Sequence, residues 1–186
     1  MLETDGKRAA DLVLGFVNTR PTGNGEPERM SDARDLREWL RSAGLGADED
    51  LRVTDADAAV AREVRAALVT LLLGHVGVEE HQGALADAED HLRRMAALYP
   101  LIAVVTESGC ELVPSQGGVP GAFGSLFAAL SRVTASGLWP RMKMCRNLPC
   151  HVGFLDRTRN SAGLYCSAAC SSQASMRSYR QRKKSA

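Results

Sequence analysis

The spacing of hydrophobic residues predicts a chain built mostly from amphipathic helices. Apolar residues recur every three or four positions in five segments, which is the period of a helix with one buried face. Between the fourth and the fifth segment, two apolar runs joined by Glu107-Ser-Gly109 are typical of a short β-hairpin. The predicted helices cover residues 8–19, 54–73, 83–98 and 123–135, and a further one runs from a cap at Ser31 or Asp32 to Ala43. The predicted strands cover residues 101–106 and 110–113.

The charge of the chain is divided unevenly along its length. Its 186 residues are 45% hydrophobic and 24% charged with a net charge of +1, values that fit a globular protein and exclude a disordered or collagen-like chain. Residues 141–186 carry ten basic residues and one acid, a charge of +9, whereas residues 1–140 carry 13 bases and 21 acids, a charge of −8. We therefore expect an acidic body, and a basic tail that meets an anionic partner or folds back on that body.

The beginning of the sequence and its hydropathy predict a cytoplasmic protein without a membrane span. The first residues carry two acids and no apolar signal segment, and no run of 18 apolar residues occurs. Because cytosolic thiols are kept reduced, the four cysteines clustered between positions 145 and 170 indicate a metal site rather than disulfides. The fifth, Cys110, lies in an apolar run and is expected to be buried.

The cysteine cluster has the spacing of a zinc-binding module. Cys145 and Cys150 are separated by four residues, Cys166 and Cys170 by three, and fifteen residues lie between the pairs. Two close pairs of thiolates supply the four soft ligands that a tetrahedral Zn²⁺ requires, and a shell closed by four cysteines indicates one structural ion rather than a catalytic one. His151 is an alternative ligand, but its position next to Cys150 indicates a bystander.

The segments around the cysteines predict a treble-clef-like zinc finger. The Arg146-Asn-Leu-Pro149 turn resembles a zinc knuckle, residues 152–155 and 162–165 resemble the two strands of a hairpin, and a helix that carries the second pair on one face is expected from Ser167 onward. The fold class expected for the whole chain is therefore mainly α with a small β-hairpin: an α-helical N-terminal domain at residues 1–140, and a zinc finger with a basic helix at residues 141–186.

The basic helix after the last cysteine predicts contact with DNA. Gln173, Arg177, Arg180 and Lys184 form one stripe at helical spacing, whereas Met176 and Tyr179 lie on another face that is expected to pack on the module. Arg and Gln read base edges, and Lys and Arg neutralise phosphates. The candidate DNA contacts are Gln173, Arg177, Arg180, Arg182, Lys183 and Lys184 in the helix, Arg157 and Arg159 in the turn, and Arg141 and Lys143 before the knuckle.

A second candidate site lies at the end of the first predicted helix. Asn18, Thr19 and Arg20 are polar residues between an apolar helix and a loop rich in Gly and Pro. They form a candidate pocket for a small-molecule effector, and the alternative is an ordinary helix C-terminus.

The chain resembles the bacterial CGNR zinc-finger proteins that carry an N-terminal ABATE domain, a family described as stress-induced transcription regulators. The resemblance rests on three stretches of the C-terminal part, and on two of the N-terminal part. They are Cys145-Arg-Asn-Leu-Pro-Cys150, Phe154-Leu-Asp-Arg-Thr-Arg-Asn160 and Tyr165-Cys-Ser167, with Leu12-Val-Leu-Gly-Phe-Val-Asn-Thr19 and the segment from Asp35 to Leu45. The family motif Cys-Gly-Asn-Arg is here Cys170-Ser-Ser-Gln173. The resemblance implies four cysteine ligands and a sensory N-terminal domain.

These observations favour a cytoplasmic bacterial transcription regulator that binds DNA through the finger. Two alternatives remain open: a protein–protein adaptor whose finger docks on an acidic partner of the transcription machinery, and an N-terminal domain that binds a small molecule or acts on it as an enzyme. Spacing identifies no catalytic nucleophile, so we expect no enzyme activity.

Overall fold

A bundle of helices fills the N-terminal three quarters of the chain. The computed structural model describes residues 2–23, 25–45, 51–77, 82–148 and 150–184. Its elements in this range are α1 (Leu2–Val17), α2 (Ala33–Ser42), α3 (Asp55–Gly74), α4 (Gln82–Leu98), β1 (Leu101–Thr106), β2 (Gly109–Pro114), α5 (Gly118–Ala135), a 3-10 turn (Trp139–Arg141), β3 (Met142–Met144), β4 (Gly153–Leu155) and α6 (Ala168–Lys184). The mainly helical fold predicted from hydrophobic spacing is confirmed.

The helix starts follow from capping side chains. Asp32 precedes α2, and its carboxylate accepts a hydrogen bond from the backbone N–H of Asp35 at 2.9 Å. Thr54 and Asp57 form a capping box at the start of α3, each side chain accepting from the other residue's backbone N–H. Such caps satisfy N–H groups that have no partner within the helix, so they fix where each helix begins.

Two helices begin earlier than hydrophobic spacing indicates. α1 starts at Leu2, and a Cβ atom at Gly6 would lie only 2.4 Å from Ser136 Oγ, so this glycine allows α1 to cross close to the end of α5. α5 starts at Gly118 rather than near Phe123. Its first turn contains Pro120, and the missing N–H of a proline costs no hydrogen bond at that position.

The helices and the first strand of the finger share one hydrophobic core. α1 packs along α5, and α3 packs between α2 and α4. The strand β3 packs on α3, and the strand β4 packs on α1. The largest fully buried side chains include Phe16, Met30, Leu36, Leu68, Leu72, Leu126, Met142 and Met144.

The predicted hairpin of β1 and β2 is confirmed, with Leu101 opposite Pro114 and Thr106 opposite Gly109. It lies at the surface of the bundle, and Val105 is 78% exposed. The expectation that Cys110 is buried is wrong: it is exposed, because it lies on this outer strand. Apolar composition alone therefore did not reveal the position of the hairpin relative to the core.

The strand pairing within the finger differs from the predicted one. β4 pairs antiparallel with β3, with Met142 opposite Leu155 and Met144 opposite Gly153, while residues 162–165 form no strand. The knuckle is thus the turn of the β3–β4 hairpin. Residues 156–165 form a loop that returns the chain to α6; Pro149 of the knuckle motif lies outside the described residues.

Candidate metal centre and basic helix

The finger brings the four clustered cysteines together. Cys145 follows β3, Cys150 lies in the knuckle, Cys166 precedes α6, and Cys170 lies in the first turn of α6. All four Sγ atoms lie within 4.8 Å of one another. Cys166 lies outside the helix, so the two cysteines of the second pair do not share a helix face as predicted.

The sulfur positions fit a tetrahedral zinc ion. The Sγ atoms of Cys150 and Cys166 are 3.6 Å apart, and those of Cys166 and Cys170 are 3.7 Å apart. A tetrahedron with Zn–S bonds of about 2.3 Å has edges of about 3.8 Å, whereas a disulfide requires about 2.05 Å. The cluster found among the described residues consists of the four cysteines alone and does not include His151. Four sulfur ligands leave no open position for water, so the site is a structural one.

Hydrogen-bond donors surround the sulfurs. The backbone N–H of Cys166 points at Cys145 Sγ at a distance of 3.4 Å. A hydrogen bond from the Asn147 side chain lowers the pKa of the Cys170 thiol to about 7, whereas burial raises the pKa of the Cys145 and Cys166 thiols. Donors of this kind stabilise the thiolates that a metal requires.

A buried amide joins the knuckle to α6. Asn147 is 1% exposed; its Nδ2 donates to Gln173 Oε1 at 2.9 Å, and Arg177 donates to its Oδ1. Gln173 and Arg177 are predicted DNA contacts, and in the structure both hydrogen-bond to Asn147 of the knuckle. Asn147 is not among the predicted functional residues, and its position between the first two cysteines is the signal that could have indicated it.

The outer part of α6 is exposed and basic. Arg180, Arg182, Lys183 and Lys184 are all exposed there. Met176 and Tyr179 are 57% and 62% exposed, so the prediction that they pack on the module is wrong. The reason is the rotation of successive residues around the helix axis, which is about 100° per residue. Within the described part of α6, Cys170 is the residue buried in the module, so Met176 and Tyr179 point about 120° and 180° away from the buried side.

Lys143 is not available to DNA, and its assignment as a phosphate contact is wrong. It is 3% exposed, and its Nζ donates to Asp156 Oδ2 at 2.7 Å and to the carbonyl oxygens of Ser161 and Gly163. The charged side chain is buried because the strand β3 directs it into the finger, where the loop after β4 surrounds it.

Asp156 organises this loop. Burial by itself would raise the pKa of its carboxyl, but hydrogen bonds from Lys143, from the Thr158 hydroxyl and from the backbone N–H groups of Thr158 and Gly163 hold that pKa well below its usual range. A carboxyl whose pKa is lowered by folding stabilises the fold above about pH 4 and loses this contribution as the pH falls.

Arg141 supports the same loop. Its guanidinium donates to the carbonyl oxygens of Asp156, Thr158 and Arg159 at 3.2, 2.8 and 3.4 Å. In the structure Arg141 thus holds the loop, and its predicted phosphate contact stays a prediction. Arg157 and Arg159 are exposed on this loop of the finger.

The finger is fastened to the helical body through Asn18. Its Nδ2 donates to the carbonyl of Gly153 at 3.0 Å, and its Oδ1 accepts from the N–H of Gly153 at 2.7 Å. A Cβ atom at Gly153 would lie 3.2 Å from Asn18 Oδ1 and from side chains of α1, so glycine allows this close approach. His75 adds a bond from its Nδ1 to the carbonyl of Met142 at 2.7 Å.

The predicted effector pocket at Asn18, Thr19 and Arg20 is therefore wrong. Asn18 binds the finger, and Thr19 is fully buried, donating to the Phe16 carbonyl at 2.7 Å and accepting from Arg65 at 2.9 Å. Arg20 is half-buried near Arg65, and burial and the charge of Arg65 lower its pKa. Arg65 in turn holds Glu28 with two bonds of 2.6 Å. The polar residues after α1 serve the folded structure.

Fold and site together define a zinc-finger protein with a helical N-terminal domain. A family model for ABATE, described as "Putative stress-induced transcription regulator", matches residues 10–137. The CGNR zinc-finger model matches residues 141–183. The chain belongs to the ABATE family and carries a CGNR zinc finger, whose four cysteines hold one structural Zn²⁺.

A search of curated proteins found no match. Among the helices that the structure describes, none combines the length and the hydropathy needed to cross a membrane.

Proposed function

We propose that the chain is a cytoplasmic bacterial transcription regulator that binds DNA by placing α6 against the duplex, with the zinc site holding the helix in position. The observation that carries the proposal is the composition of α6. This helix of 17 residues contains five basic residues and no acidic one, and four of the bases are exposed in its C-terminal part.

The dimensions and the charge of α6 suit the major groove. Seventeen residues at 1.5 Å each make a helix about 25 Å long, and a groove about 12 Å wide admits such a helix. Exposed Lys and Arg side chains neutralise phosphates and release counterions, which supplies much of the affinity for DNA.

The loop of Arg157 and Arg159 provides a second basic contact. Arg141 and Asp156 fix the backbone of this loop, so its two exposed guanidinium groups start from a defined position. We assign them contacts with the DNA backbone, which set the register of a protein on the duplex without reading its sequence.

The proposal assigns no catalytic step to the chain. The buried charged side chains of the described residues are Arg65, Lys143 and Asp156, and each is bonded to other groups of the protein. We assign the acidic helical body a regulatory role, and the description of the matching family as a transcription regulator supports this assignment.

A matched pair of charge variants tests the proposal. R180A/R182A/K184A removes three exposed bases from α6, and R34A/R93A/R94A removes three exposed bases from the body. Both change the net charge equally. With the zinc-loaded full chain and a 24-bp duplex pool of random sequence at low salt, the α6 variant should bind at least tenfold more weakly and the body variant within twofold of wild type. Equal loss in both variants, or no binding by wild type, would overturn the proposal.

A further inference from the structure

The solvent-facing side of α6 carries two large apolar side chains among bases. Ser172, Met176, Tyr179 and Lys183 all point between about 120° and 180° away from the buried Cys170. Met176 and Tyr179 are more than half exposed, although both residue types ordinarily lose much of their surface in a folded protein. Gln173 and Arg177 lie on the other side, where Asn147 engages them.

We propose that this outward face, rather than the Gln173–Arg177 stripe, enters the major groove, and that Met176 and Tyr179 read the 5-methyl groups of thymine. The inference rests on the proposed function and specifies its reading face. It predicts that the protein prefers sites with methyl groups on successive base pairs.

Charge selects DNA as the occupant of this face. Arg180, Arg182 and Lys183 each lie within about 60° of Met176 or Tyr179 around the helix axis, and α6 has no acidic residue, so the occupant must be anionic and must also offer apolar groups. The major groove satisfies both requirements, because phosphates line it and each thymine presents a methyl group to it.

The spacing of the two side chains fits neighbouring base pairs. Met176 and Tyr179 are three residues apart, which is about 4.5 Å along the helix axis. This distance is close to the base-pair step of about 3.4 Å. Two contacts within one helical turn therefore reach adjacent steps of the duplex.

Duplexes that differ only in a methyl group test the inference. The probes are alternating 24-bp duplexes of A·T, of A·U, of G·C, and of G·C with 5-methylcytosine. Burying one methyl group changes an affinity about fourfold. The zinc-loaded full chain should therefore bind the A·T duplex at least fivefold more tightly than the A·U duplex, and should prefer methylated over unmethylated G·C.

Variants then assign the preference to the two residues. M176A/Y179A should bring the A·T to A·U ratio close to one, and M176L/Y179F, which keeps apolar groups at both positions, should preserve it. L98A, which truncates an exposed apolar side chain of the body, should leave the ratio unchanged. Zinc content and far-ultraviolet circular dichroism of each variant report whether the finger is folded.

The outcomes separate the inference from the proposed function. If wild type binds A·T and A·U equally while binding remains salt-dependent, the reading face is wrong and DNA binding stands. The same holds if M176A/Y179A is folded and keeps the wild-type ratio. If M176A/Y179A fails to fold, the wild-type affinity ratios on both pairs of duplexes and the ratio of M176L/Y179F decide whether the inference holds. Absence of binding to every duplex overturns the proposed function as well.

Discussion

At the scale of single residues, one buried amide connects the metal site to the basic helix. Asn147 hydrogen-bonds Gln173 and Arg177 of α6 and the thiol of Cys170. A side chain that orients metal ligands in this way commonly changes metal affinity by 10- to 100-fold when it is removed.

We therefore expect N147A to weaken zinc binding by about 10-fold or more, because Cys170 loses a hydrogen-bond donor and α6 loses its bonds to the knuckle. Competition with a chromogenic chelator measures the affinity. R146A, which truncates the exposed neighbouring residue, is the control and should bind zinc as wild type does. Equal zinc affinity of N147A and R146A would contradict this role.

The buried ion pair of Lys143 and Asp156 yields a second expectation. In K143M the Asp156 carboxylate would keep its place in the finger without its cation, and breaking a buried pair in this way costs about 3–5 kcal/mol. Urea denaturation at neutral pH measures the free energy of unfolding. K184M makes the same substitution at an exposed position and should change it by less than about 0.5 kcal/mol. Similar values for the two variants would show that the pair is not important for stability.

At the scale of elements, α6 depends on the zinc site more than any helix of the body. Its one buried residue in the described part is the ligand Cys170, whereas α1, α3 and α5 contribute many side chains to the core. Most of the stability of a helix within a protein comes from tertiary packing, and α6 buries little else against the rest of the protein.

Removal of zinc should consequently unfold α6 and leave the body helices in place. Hydrogen exchange measured before and after treatment with a chelator should show lost protection within residues 168–184 and retained protection in α3 and α5. Protection that persists in α6, or that is lost across the whole chain, would contradict the account.

Most of the helices, the first hairpin and the cysteine cluster could be predicted from the sequence, because local patterns and spacing determine them. Five helices, the β1–β2 hairpin and the cysteine cluster follow from hydrophobic period, capping residues such as Thr54, and ligand spacing. The pairing of β4 with β3 could not be predicted, since residues 152–155 and 162–165 are similarly apolar and the choice depends on the bonds of Lys143 and Asp156. The outward orientation of Met176 likewise depends on where the knuckle meets α6.

At the scale of the whole molecule, the acidic body and the basic finger form a continuous structure. Met142 and Met144 of the finger are buried in the core of the body, and Asn18 binds Gly153 across the junction. Of the candidate pocket residues after α1, Asn18 lies at this junction, which hydrophobic spacing could not reveal because the contact spans 135 positions of sequence. A change in the body can thus reach the finger directly.

The central claim, that zinc-held α6 binds phosphates, is tested most directly by the salt dependence of DNA affinity. For the zinc-loaded full chain and one duplex, the plot of log Kd against log salt concentration should be linear. Its slope should have a magnitude of about 3.5 to 5.5, corresponding to about four to six neutralised phosphates. Chelation of the zinc should reduce both affinity and slope. A slope near zero, or a slope that chelation leaves unchanged, would contradict the claim.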